Sequence, residues 1–149
     1  MDENPYDYKL VILGDPKAQK RHRHTGKDRS GKALQFVRTY DPSAAGKRDL
    51  RVVVQQQAPD KPLAGPIKVD CHFYFGYLKT HYGTGRNAEK LKPSAPKCQD
   101  TKPDRDNLDK FILDALTGVF FKNDSQVCDG RIIKRYSERP RTEIYITQL

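Results

Sequence analysis

A chain of 149 residues is long enough for one compact domain with a modest core and too short for two well-buried ones. Its 28 Lys and Arg against 19 Asp and Glu give a formal charge of +9, which favours a polyanion as partner. No apolar run approaches the ~20 residues that cross a bilayer, and the start Met1-Asp2-Glu3-Asn4-Pro5 lacks the regions of a signal peptide, so the reading is a soluble intracellular protein with no membrane partner.

Tyr8 to Leu13 (YKLVIL) is apolar, partly β-branched and ends at Gly14-Asp15-Pro16, which predicts a strand. Leu34 to Tyr40 (LQFVRTY) predicts a second strand paired to the first, with a basic loop at 15–32 between them. Ser43 to Gln57 places Ala44, Ala45, Leu50, Val53 and Val54 among polar residues, with Ser43 able to accept from first-turn amides, and predicts a first helix. The three prolines of Pro59 to Pro66 mark a connector. Ile67 to Tyr77 then alternates with a clean period of two, which predicts a strand with Phe73 and Phe75 in the core. Leu78 to Pro103, poor in apolar residues and rich in Gly, Pro and basic charge, reads as a mobile loop rather than an element, and a loop of that length is usually functional. Leu108, Phe111, Ile112, Ala115 and Leu116 repeat at intervals of three and four, predicting a helix closed by Gly118. Arg131 to Tyr136 and Thr142 to Thr147 flank Ser137 to Pro140 as an expected hairpin. The order ββαβαββ implies a single α+β domain over 1–149, its helices packed on a mixed sheet.

The charge is segregated. Lys17 to Lys32 holds seven basic residues against one acid, Leu78 to Pro103 six against two, and Arg131 to Arg141 five against one, which leaves the rest of the chain with 10 basic and 15 acidic residues. Such segregation suits a surface that tracks phosphates. Lys17, Lys20, Arg21, Arg23, Lys27, Arg29, Lys32, Lys134 and Arg135 are therefore candidate DNA contacts, while His22 and His24, flanked by cations, are poor metal ligands. Tyr40, Tyr74 and Phe120 could stack on splayed bases, but core packing is the favoured reading for each. Cys71, Cys98 and Cys128 are odd in number and widely spaced, which supports neither a disulfide framework nor a structural zinc site.

The second helix begins at Pro103-Asp104-Arg105-Asp106-Asn107. In an extended entry, residues two apart point the same way, so Asp104 and Asp106 can converge on one point while Arg105 faces elsewhere. Hard cations such as Mg²⁺ favour these oxygens. Helix capping by Asp104, Asp106 or Asn107 is the competing explanation, but a cap uses only one side chain. An EF-hand fits poorly, because Asp109 stands where glycine is needed and Ala115 where the bidentate glutamate belongs. Lys110 and Asp114 follow Asp106 at successive turns, either as a solvated row of ion pairs or with the lysine directed at a scissile phosphate. Asp124 reads alone as a turn residue.

Taken together, Asp104-Arg105-Asp106-Asn107-Leu108-Asp109-Lys110, then Leu113-Asp114-Ala115-Leu116-Thr117-Gly118, then Asn123-Asp124-Ser125-Gln126-Val127 resemble the RusA-type Holliday junction resolvases. That family's pattern is Asp-x-Asp-Asn-Leu-x-Lys, Asp-Ala-Leu and Asp-Asp-x-Gln-Val, and the close match covers Pro103 to Tyr136. The resemblance implies a RusA-like fold, a metal site formed by Asp104, Asp106 and Asp124, an essential Lys110, and Asn107 and Asp114 as supporting residues around the ligands. It also implies Mg²⁺, with Mn²⁺ as a substitute, acting in phosphodiester hydrolysis on branched DNA, above all the four-way junction. Two symmetrical cuts imply a homodimer. Asn123 departs from the pattern, where the family commonly has aspartate. Two alternatives stand beside this reading: a non-catalytic basic nucleic-acid-binding module, and a related nuclease acting on flaps or other branched forms.

Overall fold

The computed structural model describes the backbone of residues 4–19, 23–27, 33–40 and 44–149, and the side chains of 4–19, 48 and 50–149. Ser43, Lys20, Arg21, His22, Arg29 and Lys32 lie outside the described residues. The elements are β1 (Tyr8–Leu13), β2 (Arg23–Lys27), β3 (Ala33–Tyr40), α1 (Ala44–Gln56), β4 (Ile67–Gly76), α2 (Arg105–Leu116), β5 (Val127–Asp129), β6 (Ile132–Ser137) and β7 (Arg141–Gln148).

β4 organises the fold, because its ten residues alternate strictly between buried and half-buried. Ile67, Val69, Cys71, Phe73 and Phe75 point to one face, where a period of two drives them against the helices. On that face α2 contributes Leu108, Phe111, Ile112, Ala115 and Leu116, and α1 contributes Leu50 and Val54. Thr142, Ile144 and Ile146 of β7 and Leu10 of β1 complete the layer. The result is the expected α+β arrangement, two helices packed on a mixed five-stranded sheet. β1, β7 and β4 are antiparallel neighbours in that order, and β4 pairs in parallel with β5 and β6 along its other edge.

Two expected pairings fail. β3 does not pair with β1 but with β2, a strand inside the segment expected to be loop, and the two form a separate two-stranded sheet. β1 pairs instead with β7, Tyr8 opposite Ile146 through Leu13 opposite Arg141. β6 and β7 do not form a hairpin, because β4 lies between them: Phe73 faces Lys134 on one side and Thr142 on the other. Adjacency in sequence is a fair guide to pairing, but a strand buried on one face along its whole length recruits partners on both edges. The connection between β6 and β7 crosses the end of β4 at Gly76, whose amide donates to Asp15 Oδ1 at 2.8 Å and where a Cβ would meet Asp15 and Pro140.

Residues 78–103 are likewise not a featureless loop. They contain short 3-10 turns at Lys79–His81 and Gly85–Asn87 and close against the outer edge of β6, with Tyr136 N donating to Lys97 O at 2.8 Å and Gln99 N to Lys134 O at 3.1 Å. Cys71 is buried, which pushes its thiol pKa up, and no disulfide joins the three cysteines.

Candidate active site

α2 begins at Asp104, an extended residue at φ −71°, ψ 150° that occupies the N-cap position yet makes no capping hydrogen bond with its side chain. The cap explanation therefore fails for Asp104, and its exposed carboxylate is left for another task. Asp106, also exposed, has its Oδ1 accepting from the Asn107 backbone N–H at 3.0 Å. A first-turn acid is also favoured there by the helix dipole. Asn107 is half-buried, and its carbonyl accepts from Gln19 N at 3.0 Å, so the segment carrying Lys17 abuts the acidic end of α2. Two features separated by some ninety residues of chain meet at that contact.

Lys110 is exposed one turn further along α2. Asp114 is half-buried beyond it, and its backbone carbonyl accepts from Arg51 Nη2 at 3.0 Å. Asp109, on the inner side, has its carboxyl pKa raised by burial, against the opposing effect of Arg105.

Asp124 lies elsewhere. It opens the 3-10 turn Asp124–Gln126, after α2 has run its 12 residues. Asn123 Oδ1 caps the turn by accepting from Ser125 N, so the residue that departs from the family pattern does what an aspartate would do here. Gln126 braces the same turn: Oε1 accepts from the amides of Lys122 and Asn123, and Nε2 donates to the carbonyls of Leu63 and Gly65 at 3.0 Å each. Asp124 is held at the surface by this frame. Asp104 and Asp106 thus stand at the start of α2 with Lys110 midway along it, while the turn 124–126 is tied through Leu63 and Phe120 to Leu116 at the end of α2. Among the described residues no three His, Cys, Asp or Glu side chains gather closely enough to hold a metal ion.

The basic candidates divide as well. Lys134 and Arg135 lie on opposite faces of β6. Lys134 Nζ donates to Thr101 O at 2.7 Å and so ties down the segment leading into α2, whereas Arg135 is exposed. Arg23 and Lys27 lie on β2. Of the aromatic candidates, Phe120 is fully buried in the core, and Tyr74 sits beneath the Arg141 guanidinium at 4.0 Å.

Tyr74 belongs to a cluster on the helix-free face of the sheet that the sequence did not single out. Arg141 Nε donates to Glu143 Oε1 at 2.9 Å and Tyr145 OH to Glu143 Oε2 at 2.7 Å. Burial and then the Glu143 hydrogen bond push the Tyr145 pKa up. For Glu143 burial acts upward, but the bonds from Tyr145 and Arg141 outweigh it and the carboxyl pKa falls. His72, beside Tyr145, is shifted down by burial against the pull of Glu143 and Asp70. The period of two puts Arg141, Glu143 and Tyr145 on one face of β7, and the register between β4 and β7 sets His72 and Tyr74 beside them.

The α+β fold thus carries two exposed carboxylates at the start of α2 and an exposed lysine one turn further on. The sequence matches the family described as endodeoxyribonuclease RusA over residues 14–147, far beyond the Pro103 to Tyr136 motif region. An uncharacterized protein of Bacillus subtilis (strain 168), YqaN, is 34% identical over 143 residues, covering 95% of this chain and 96% of that protein. The chain belongs to the RusA endodeoxyribonuclease family. Among the described residues no helix is long and apolar enough to cross a membrane.

Proposed function

We propose that this chain is a divalent-cation-dependent endonuclease selective for branched DNA, with the four-way junction as its preferred substrate and Mg²⁺, or Mn²⁺ in its place, as its ion. One observation carries the reading: Asp104 stands at a helix N-cap without capping it, beside Asp106 and one turn from Lys110, in a chain of this family. The donor set fits the ion, since Mg²⁺ is usually held by one or two carboxylates, waters and substrate phosphates rather than by a closed protein cage. Asp104 and Asp106 would be its ligands, and when bound it supplies polarisation of the phosphate and a more acidic water. The protein's own groups do the rest. Lys110 holds the scissile phosphate and offsets charge that develops on it, and Lys17, brought close by the Gln19 to Asn107 contact, grips the flanking backbone. Water oxygen attacks phosphorus and the bond to the 3′ oxygen breaks, leaving a 5′ phosphate.

Asp124 joins this scheme through a second copy. A two-fold dimer supplies two centres for paired cuts and presents the partner's turn 124–126 to the Asp104 end of α2. The test is incubation of labelled four-way junction, flap and linear duplex with Mg²⁺ or chelator. The expected result is symmetrical nicking of the junction only with the metal. Junction binding without cleavage in either Mg²⁺ or Mn²⁺ would return the protein to a binding module, and faster cutting of flaps would move the substrate.

A further inference from the structure

We propose that Gln99 and Lys134 are positioning residues that set the cation affinity of the Asp104–Asp106 pair, an inference that rests on the reading of that pair as a cation site. Asp104 emerges from Thr101-Lys102-Pro103, and two side chains from outside this segment hold it. Gln99, 7% exposed, donates from Nε2 to Thr101 Oγ1 at 3.0 Å and to Lys102 O at 2.9 Å. Lys134 Nζ donates to Thr101 O at 2.7 Å. The two are themselves joined, Gln99 N donating to Lys134 O at 3.1 Å, so the clamp is anchored in β6 and through it in β4.

The orientation of the Gln99 amide follows from chemistry. Lys102 O can only accept, so the amide nitrogen must face it, and Oε1 is left buried without a hydrogen-bond partner among the described residues. A buried acceptor left unsatisfied is unfavourable, and apolar residues of the same length fill such a site without that penalty. The arrangement makes sense if the two donated bonds are what the position is for. Lys134 fits the same logic. Its ammonium is directed at a backbone carbonyl and forms no ion pair among the described residues, unlike Lys68 with Asp70 and Arg141 with Glu143.

Two carboxylates converge on a small cation only if the backbone beneath them is held in advance; otherwise the ion must pay for that ordering on binding. Residues that orient metal ligands typically change metal affinity by about 10–100-fold when removed. The experiment measures Mn²⁺ binding to the full-length protein by electron paramagnetic resonance of the free ion, with thermal melting and Mg²⁺ titration of junction cutting in parallel. Gln99→Met removes both donors while keeping length, and Lys134→Met keeps the aliphatic stem. Each is expected to weaken Mn²⁺ binding about tenfold or more, with cutting recovered at high metal, and Lys134→Arg, which retains a donor, to restore most of the affinity. A lower melting temperature with unchanged Mn²⁺ affinity overturns the proposal, since that is what a purely structural role predicts. Asp106→Asn separates the two ideas. If it binds Mn²⁺ as the parent does, the cation site itself is wrong; if it loses Mn²⁺ while both clamp variants keep it, only the clamp is.

Discussion

Asp104 and Asp106 owe their chemistry to what they do not do. An N-cap aspartate ordinarily satisfies a first-turn amide, but here the Asp104 side chain makes no such bond, and Asp106 spends one oxygen on the amide next to it. Removing a negative charge from this pair should therefore harm metal binding and not folding. Asp106→Asn is expected to lower junction cutting by at least about 100-fold while junction binding, read by gel shift, stays equal or tightens, because a metal ligand and a repulsive charge leave together. Equal loss of binding and cutting would sink the assignment. The presence of both aspartates could be read from the motif, but the extended entry expected to align them covers only Asp104, since α2 starts at Arg105 and takes Asp106 into its first turn. Gln99 could not be read at all, because a glutamine in a polar loop carries no signal until its burial and its partners are known.

Apart from the unexpected β2 and β5, the strands and helices follow the sequence closely. α1 and α2 lie within one or two residues of their expected spans, and the alternation of Ile67 to Phe75 becomes the buried face of β4. Their pairing does not follow, because β1 and β7 are more than a hundred residues apart and the apolar pattern of a strand says which face is buried, not which strand lies alongside. Between β5 and β6, Gly130 sits at φ 150° against Val69 of β4, and a Cβ added there would collide with the Val69 carbonyl. Gly130→Ala is expected to destabilise the protein by about 1–3 kcal/mol, as overpacked sites generally do. A melting temperature unchanged from the parent would show that β5 can move aside.

At the scale of the whole molecule, the placement of Asp124 is the feature that demands explanation. If a two-fold partner supplies it, Asp106→Asn and Asp124→Asn proteins, each inactive alone, should regain nicking when mixed and allowed to exchange subunits. In the mixed dimer one site combines both substitutions and the other neither, so the expected product is a single nick per junction. If each site were built within one chain, both sites would stay defective and the mixture would remain inactive. What the sequence by itself determined was the local part: strand and helix periodicity, the acid pair two residues apart, a segregated basic charge and membership of a nuclease family through three linked motifs. Only the tertiary structure decided which strands neighbour β4, that residues 97–99 close against β6, that Lys134 serves the α2 entry rather than open solvent, and that the turn carrying Asp124 is braced against Leu63 and Gly65. The physical reason is range. Periodicity and spacing act over a few residues, whereas the uncapped acid pair, its clamp and the braced turn of Asp124 depend on contacts whose partners the chain brings together only when the sheet has closed.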